Sequence, residues 1–177
     1  MKVKSLWSAV IVSLIFLLMG SRAWGAASEY ELKAAFVYNF AKFVEWPPQA
    51  LSPGANSLIL GVLDQDPERE AFDALQGKMV QGRTLVVKKC TVSELKSCQM
   101  VFISAEASRW LAQALSAVRD LPILTVTDEV EGVANMGIIN LVTSGGKVRF
   151  QVDARKARRL GFKISSQLLQ LALSVYE

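Results

Sequence analysis

The sequence predicts an α/β fold of three layers, α/β/α, built on a mostly parallel sheet with an antiparallel C-terminal hairpin edge. Three observations predict it. Short, continuous apolar runs such as 58–63 and 100–103 read as strands buried on both faces. Helical segments alternate with them, as crossovers between parallel strands require. Near the end, the runs 138–142 and 148–152 flank Ser144, Gly145 and Gly146, which is the pattern of a β-hairpin.

The first residues read as an address label. Lys2 and Lys4 supply a positive start, an apolar run over 9–19 follows, and small residues come next. A signal peptide over 1–25 is expected, with Ala23 and Gly25 at the cleavage positions, or a cut as late as 27. Residues 28–177 then form a single domain of a size that buries a proper core.

That domain opens with FVYNFAKFVEWPP at 36–48, five aromatic residues within a helical period that two prolines stop. At 100° per residue Leu32, Phe36, Phe40 and Phe43 share a stripe flanked by Val37 and Val44, so a helix over 28–46 with Phe36, Phe40 and Phe43 in the core is expected. Tyr38 lies on its polar face and Trp46 at its exit, both positions suited to interface anchors.

After a loop over 49–56 come a strand at 58–63, a short helix that Pro67 opens and that runs to Leu75, and a strand at 84–88. A short crossover at 91–97 leads to a strand at 100–103, and a longer helix over 105–119 buries Trp110, Leu111, Ala114, Leu115 and Val118. The strand 123–126 precedes the hairpin. Residues 154–160 form a short helix that Gly161 can end, and Ser165 caps a last helix to Tyr176 with Ile164, Leu168, Leu171 and Val175 on one inner stripe.

Composition excludes several functions. Histidine is absent, which removes Ser-His-Asp and Cys-His nucleophilic machinery and the commonest metal ligand. No nucleophile and base can be paired, so an enzyme is not expected, nor a cofactor or metal. Lys2, Lys4 and Arg22 carry three of the four excess positive charges, leaving the exported domain at +1, so nucleic acid is not an expected partner. Export favours a disulfide between the two cysteines, Cys90 and Cys98. Strand geometry opposes it. If Cys90 ends one strand and Cys98 begins a parallel neighbour, their Cα atoms exceed the ~7 Å limit for a bridge.

Two sets of residues remain as candidate sites. The carboxyl ends of the strands supply Asp64, Asp66, Ser104 and Asp128, the place where open α/β sheets bind ligands. The acid pair after the first strand is reminiscent of a phosphorylatable receiver, but Ser104 stands where the accepting aspartate would be needed. These residues therefore read first as turn and cap groups. The segment 154–163 holds Arg155, Lys156, Arg158, Arg159 and Lys163. A charge run reads first as a solvated face; the sharper reading is a dock for an acidic partner surface or anionic phospholipid head groups. Thr143 to Gly146 is a turn and not a phosphate cradle, because a strand and not a helix follows it.

Three segments carry a resemblance: YELKAAFVYNFAKFVEWP at 30–47, ILTVTDEVEGVANMGIINLV at 123–142 and KVRFQVDARKARRLGFKISSQLLQLA at 147–172. In this order they resemble the YfiR family of periplasmic proteins. The resemblance implies an α/β domain that self-associates as a homodimer and holds down an inner-membrane signalling protein. That partner would be the periplasmic domain of a diguanylate cyclase of the YfiN type, whose product, cyclic di-GMP, governs biofilm formation. Release through redox state and an outer-membrane lipoprotein of the YfiB type is implied as well, although one cysteine pair at most could carry a redox step here. The interface expected on this reading comprises Tyr38, Lys42, Trp46, Arg155, Arg158 and Arg159. The alternative is a periplasmic small-ligand receptor that feeds another membrane sensor, such as a histidine kinase, with its crevice at Asp64, Asp66, Ser104 and Asp128.

Overall fold

A computed structural model describes residues 28–51 and 54–177. The expected signal peptide lies outside the described residues. The segment 28–46 that sequence periodicity places in one helix divides differently: helix α1 spans Glu29–Phe43, and a two-residue strand β1, Val44–Glu45, follows it. Ser28 starts α1 with a capping box, its Oγ accepting from Glu31 N at 3.2 Å while Glu31 Oε2 accepts from Ser28 N at 2.6 Å. Glu29 and Glu31 in the first turn and Lys42 in the last suit the helix dipole. Before Pro47 the backbone turns extended, so that β1 pairs with β9, Lys163–Ile164, antiparallel.

The main sheet takes β2 (Ser57–Leu63), β3 (Met79–Val80), β4 (Arg83–Cys90), β5 (Met100–Ile103), β6 (Leu124–Asp128), β7 (Ile139–Ser144), β8 (Lys147–Asp153) and β10 (Ser174–Tyr176). Their spatial order is β10-β8-β7-β6-β5-β2-β4-β3. β2 pairs in parallel with β4 and β5, β5 with β6 and β6 with β7; β3 and β8 are antiparallel to β4 and β7. The predicted mostly parallel sheet with its C-terminal hairpin is therefore present. Gly145 and Gly146 form the two-residue turn with φ of 59° and 71°, the left-handed pair that matches strand twist. β10 then adds beyond the hairpin, parallel to β8.

The connections are short. A 3-10 turn, Arg69–Leu75, stands where Pro67 was expected to open a helix, and another, Val92–Ser97, makes the crossover between β4 and β5. The predicted helix over 105–119 is a 3-10 turn, Ala105–Trp110, running into α2, Leu111–Val118. Helix α3, Ala154–Arg159, ends at Gly161, whose φ of 84° follows the last turn and whose missing Cβ leaves room for Pro47. The last helix, α4, covers only Ser166–Leu171, where Tyr176 was expected to end it. Leu173 N donates instead to Phe150 O at 2.7 Å, and the chain continues as β10 because the open edge of β8 supplies partners that a further helical turn would not. Leu171, placed on the inner stripe by its spacing, is 67% exposed.

The sheet curls around α1, which touches both β3 and β8. Phe40 packs on Phe150 with ring centroids 5.0 Å apart, and Phe36 lies 6.0 Å from Phe40 and 6.1 Å from Phe150. Phe43 corrects the expected stripe. It is 40% exposed, because the buried line runs through Lys33, Val37, Phe40, Ala41 and Val44, one position round from the line through Leu32 and Phe43. Phe72, 4.5 Å from Phe102, extends this core toward β5, and a smaller second core of Leu63, Leu95, Val101, Ile103, Ala114 and Val118 lies on the opposite face.

Candidate interaction surface and groove

Asp153, the last residue of β8, sets the basic helix. Its buried Oδ1 accepts from Arg155 N at 3.1 Å and Lys156 N at 3.0 Å, which starts α3 where the strand stops. The five positive side chains of the segment then separate. Arg155 Nε returns to Asp153 Oδ1 at 3.4 Å, and exposed Lys163 pairs with Glu45 Oε2 at 3.2 Å. Lys156 turns inward, its Nζ donating to Met136 O at 2.6 Å, Val133 O at 3.0 Å and Ala134 O at 3.4 Å. Burial lowers its pKa, and Arg159 and Arg155 add to the fall against the pull of Asp153. Arg158 and Arg159 are exposed and pair with no carboxylate among the described residues.

The aromatic anchors are more deeply held than their positions in sequence imply. Tyr38 is half-buried; its OH donates to Met79 O at 2.9 Å, and the ammonium groups of Lys42 and Lys78 sit 5.3 and 5.7 Å from its ring. Trp46 Nε1 donates to Ala41 O at 3.1 Å, and its ring meets Phe162 edge-on at 5.6 Å. Since Phe162 N donates to Ala157 O, Trp46 abuts the end of α3, whereas Tyr38 faces the β3–β4 turn. Lys42 remains exposed. Gln81, which no sequence pattern marked, closes the last turn of α1: its Nε2 donates to the carbonyls of Val44, Lys42 and Ala41 at 2.8, 3.1 and 3.3 Å.

At the carboxyl ends of the strands the four crevice candidates part company. Asp64 is exposed, and buried Asp66 accepts from Glu68 N at 3.0 Å as a turn group. Ser104 Oγ accepts from Ala107 N at 3.2 Å as a cap. Asp128, 1% exposed, accepts from Lys33 Nζ at 2.7 Å and from Ala105 N at 3.4 Å through Oδ2. Lys33, 2% exposed within the apolar face of α1, also reaches Glu29 Oε1 at 2.7 Å. Periodicity treats a lysine as solvated, so it could not mark this pair. Burial pulls the Lys33 ammonium down, but the bonds to Asp128 and Glu29 outweigh it and leave its pKa raised. Burial pushes the Asp128 carboxyl up, and Lys33 offsets that only in part. Tyr30 beside them is pushed up to about 12, mainly by burial.

Ser104 and Asp128 do line a groove of about 810 Å³; Asp64 and Asp66 do not. Its walls are α2 and the loop 129–138. Besides Lys156, Asn140 braces that loop, its Nδ2 donating to Val130 O at 2.9 Å, and Thr125 and Thr127 accept from Ile138 N and Gly137 N at 2.9 and 3.0 Å. Among the described residues no group of three or more cysteine, aspartate or glutamate side chains could hold a metal ion.

The cysteines correct the expected separation. Cys90 and Cys98 are free and buried, with sulfur atoms 3.6 Å apart. Cys98 is the residue after the crossover turn and not the first of β5, so its side chain folds back over Gly61 of the intervening strand β2, where a Cβ would stand 2.6 Å from its sulfur and 3.4 Å from that of Cys90. Burial chiefly, with Cys90 adding, pushes the Cys98 thiol up to about 12, and burial raises Cys90 as well.

Among solved structures, a conserved domain protein from Vibrio cholerae O1 biovar El Tor matches at a TM-score of 0.56 and 13% identity, over 84% of this chain and 60% of that one. The ABC domain in complex with L-Trp from Streptococcus pneumoniae matches at 0.49 and 11%, over 78% of this chain and 60% of that one. This chain thus spans about 60% of the solved chains it matches, and the likeness to the first is one of fold. No protein of curated function matches it in sequence. The YfiR/HmsC-like family matches residues 30–173, which takes in α1, the whole sheet up to β8, and α3 and α4; the chain belongs to the YfiR/HmsC-like family.

Proposed function

We propose that the chain is a periplasmic negative regulator that binds the periplasmic domain of an inner-membrane signalling protein, a diguanylate cyclase of the YfiN type, and thereby lowers cyclic di-GMP. The observation that carries the reading is the family match across 30–173, because the family is a regulatory and not a catalytic one. The exposed guanidinium groups of Arg158 and Arg159, next to the packed Trp46, support α3 as the contact that an acidic partner surface would use. Among the described residues no helix is long and apolar enough to cross a membrane. Binding represses only by the difference in affinity for the two conformations of the partner. Self-association as a homodimer and release by an outer-membrane lipoprotein of the YfiB type complete the proposal.

The test is a strain carrying the cognate cyclase in which Arg158→Glu and Arg159→Glu replace the native pair. Cyclic di-GMP rises as it does on deletion of the gene, while circular dichroism of the purified variant is unchanged. Unaltered cyclic di-GMP in a folded variant removes α3 from the interface. No rise on deletion of the whole gene removes the cyclase reading.

A second reading, a small-ligand receptor feeding another membrane sensor such as a histidine kinase, is favoured by the groove between α2 and the loop 129–138, within the size range of small-molecule sites.

A further inference from the structure

We propose that this groove binds an extended zwitterion of about tripeptide length, with its ammonium at the Asp128–Glu129 end and its carboxylate between Arg119 and Arg159. The inference deepens the receptor reading and rests on it; it does not depend on α3 contacting a cyclase.

The direction of the elements sets opposite charges at the two ends of the groove. β6 ends at Asp128, so Asp128, Glu129 and, a little beyond, Glu131 stand at the carboxyl end of the sheet. α2 runs back toward the other end. Arg119 follows its last residue, five positions before β6 starts. α3 begins directly after Asp153, one residue beyond the Ile139–Val152 pair that opens β7, so Arg159 belongs to the same end as Arg119. The groove is thus acidic at one end and basic at the other.

The charges at both ends are available. Arg119 and Arg159 are exposed and pair with no carboxylate among the described residues, while Lys156, on the same wall, has given its ammonium to three loop carbonyls. Glu131 is exposed without an ion pair and Glu129 uses only Oε1, to accept from Thr143 N, whereas Asp128, already paired with Lys33, marks this end without adding a free charge. Between the ends lie Leu111, Leu115, Met136 and Ile138, with the hydroxyls of Ser108 and Ser116 beside them. Apolar walls with a few polar groups and charge at the ends suit a short peptide better than a sugar or a nucleotide.

Length selects among zwitterions. Thr125 and Asp128 both line the groove and are three strand residues apart, so the groove runs at least about 10 Å along β6 at the usual strand rise. Three extended residues span about the same distance. A single amino acid holds its two charges too close to reach both ends, and a diamine or a dicarboxylate puts a like charge at one of them.

Isothermal titration calorimetry of the purified protein with trialanine and trileucine tests the assignment against N-acetylated and C-amidated forms and free alanine. At least one unblocked tripeptide is expected to bind, with either block, or shortening to alanine, weakening it about tenfold or more, as loss of one charge-assisted contact implies. Arg119→Gln and Arg159→Gln are each expected to weaken the free peptide several-fold while leaving the already weak amide unchanged and the melting temperature unaltered. No binding of either tripeptide, or equal binding of blocked and unblocked forms, overturns the proposal. A loss of cyclase control in Arg158→Glu alone bears on the partner and leaves this result untouched, because Arg158 does not line the groove and calorimetry is run without any partner.

Discussion

On one face of the sheet the 15-residue helix α1 fills the hollow of the curled strands and meets both β3 and β8, with the turn Arg69–Leu75 and α4 packed against it. The other face is covered in pieces, by the crossover turn, the turn at Ala105–Trp110 and the eight-residue α2, and a groove is left where the cover stops short of the loop 129–138. The difference teaches where each face can spend its polar groups. The α1 face is closed enough to enclose an ion pair, Lys33 with Asp128, whose shared hydrogen bonds hold the start of the helix over the strand tips. The α2 face keeps its charges at the rim of an opening, free to meet something from outside.

If that comparison is right, truncation is felt unequally. Phe40→Ala removes a ring that contacts Phe36 and Phe150 at the centre of the α1 core and is expected to cost about 4 kcal/mol. Leu111→Ala, half-buried on the groove wall, is expected to cost about 1 kcal/mol, because solvent already reaches the site and no closed cavity forms. Urea denaturation of the two variants measures the gap. Equal losses would mean that α2 is packed as tightly as α1 and that the groove is closed in solution.

Much of this contrast was legible beforehand, and the parts that were not share a cause. Continuous apolar runs marked β2, β5 and β6 because strands covered on both faces need no alternation, and Gly145 with Gly146 marked the hairpin because the turn demands left-handed backbone. Lys33 stayed hidden: a periodic pattern assigns a cation to solvent, and only Asp128, ninety-five residues on, reverses that. The same applies to Lys156, one of five basic residues within 154–163, which is separated from the other four by carbonyls of a loop twenty residues earlier. β10 was read as helix because Leu171 and Val175 keep helical spacing, and its pairing with β8 is a long-range preference that local sequence does not contain. Of the interface candidates, the exposure of Arg158 and Arg159 was legible from their charge, whereas the bracing roles of Tyr38 and Trp46 depend on Met79 and Phe162, which no spacing connects to them.

A smaller effect sharpens the comparison on the α2 face. Gly61→Ala places a methyl group 2.6 Å from the Cys98 sulfur, so the thiol has to move within a packed region, at an expected cost of about 2 kcal/mol. Cys98→Ala removes the obstacle. The double variant is therefore expected to recover at least about 1 kcal/mol relative to the sum of the single changes, the size of coupling found between touching residues. Additive losses would show that the sulfur does not lie over Gly61. The same pair predicts slow alkylation of the native thiols at neutral pH, since burial holds both in the protonated form, with Cys98 at about 12.

The smallest effect lies at the mouth of the α1 face, where Tyr30 stands beside Lys33. Burial raises its phenol from 10.0 to about 12, the Lys33 ammonium pulls it down, and Asp128 pushes it up again. A tyrosine whose pKa is higher in the folded than in the unfolded chain contributes stability that is fully present below pH 10 and is lost as pH rises through about 12. Lys33 acts in the same direction, with stability present below 10.5 and lost through its own raised value. The melting temperature of the native protein is therefore expected to fall more steeply between pH 10 and 12 than that of Tyr30→Phe, which keeps the ring and loses the ionisation. The difference is small because Tyr30 is only half-buried and solvent screens the charge it would carry. Ultraviolet titration supplies the independent reading: one of the three tyrosines is expected to ionise near 12, and the step is expected to vanish in Tyr30→Phe. A Tyr30 that ionises at 10 like a free tyrosine would mean that the first turn of α1 is not seated on the strand tips, and with it would go the claim that this face is closed while the other is open.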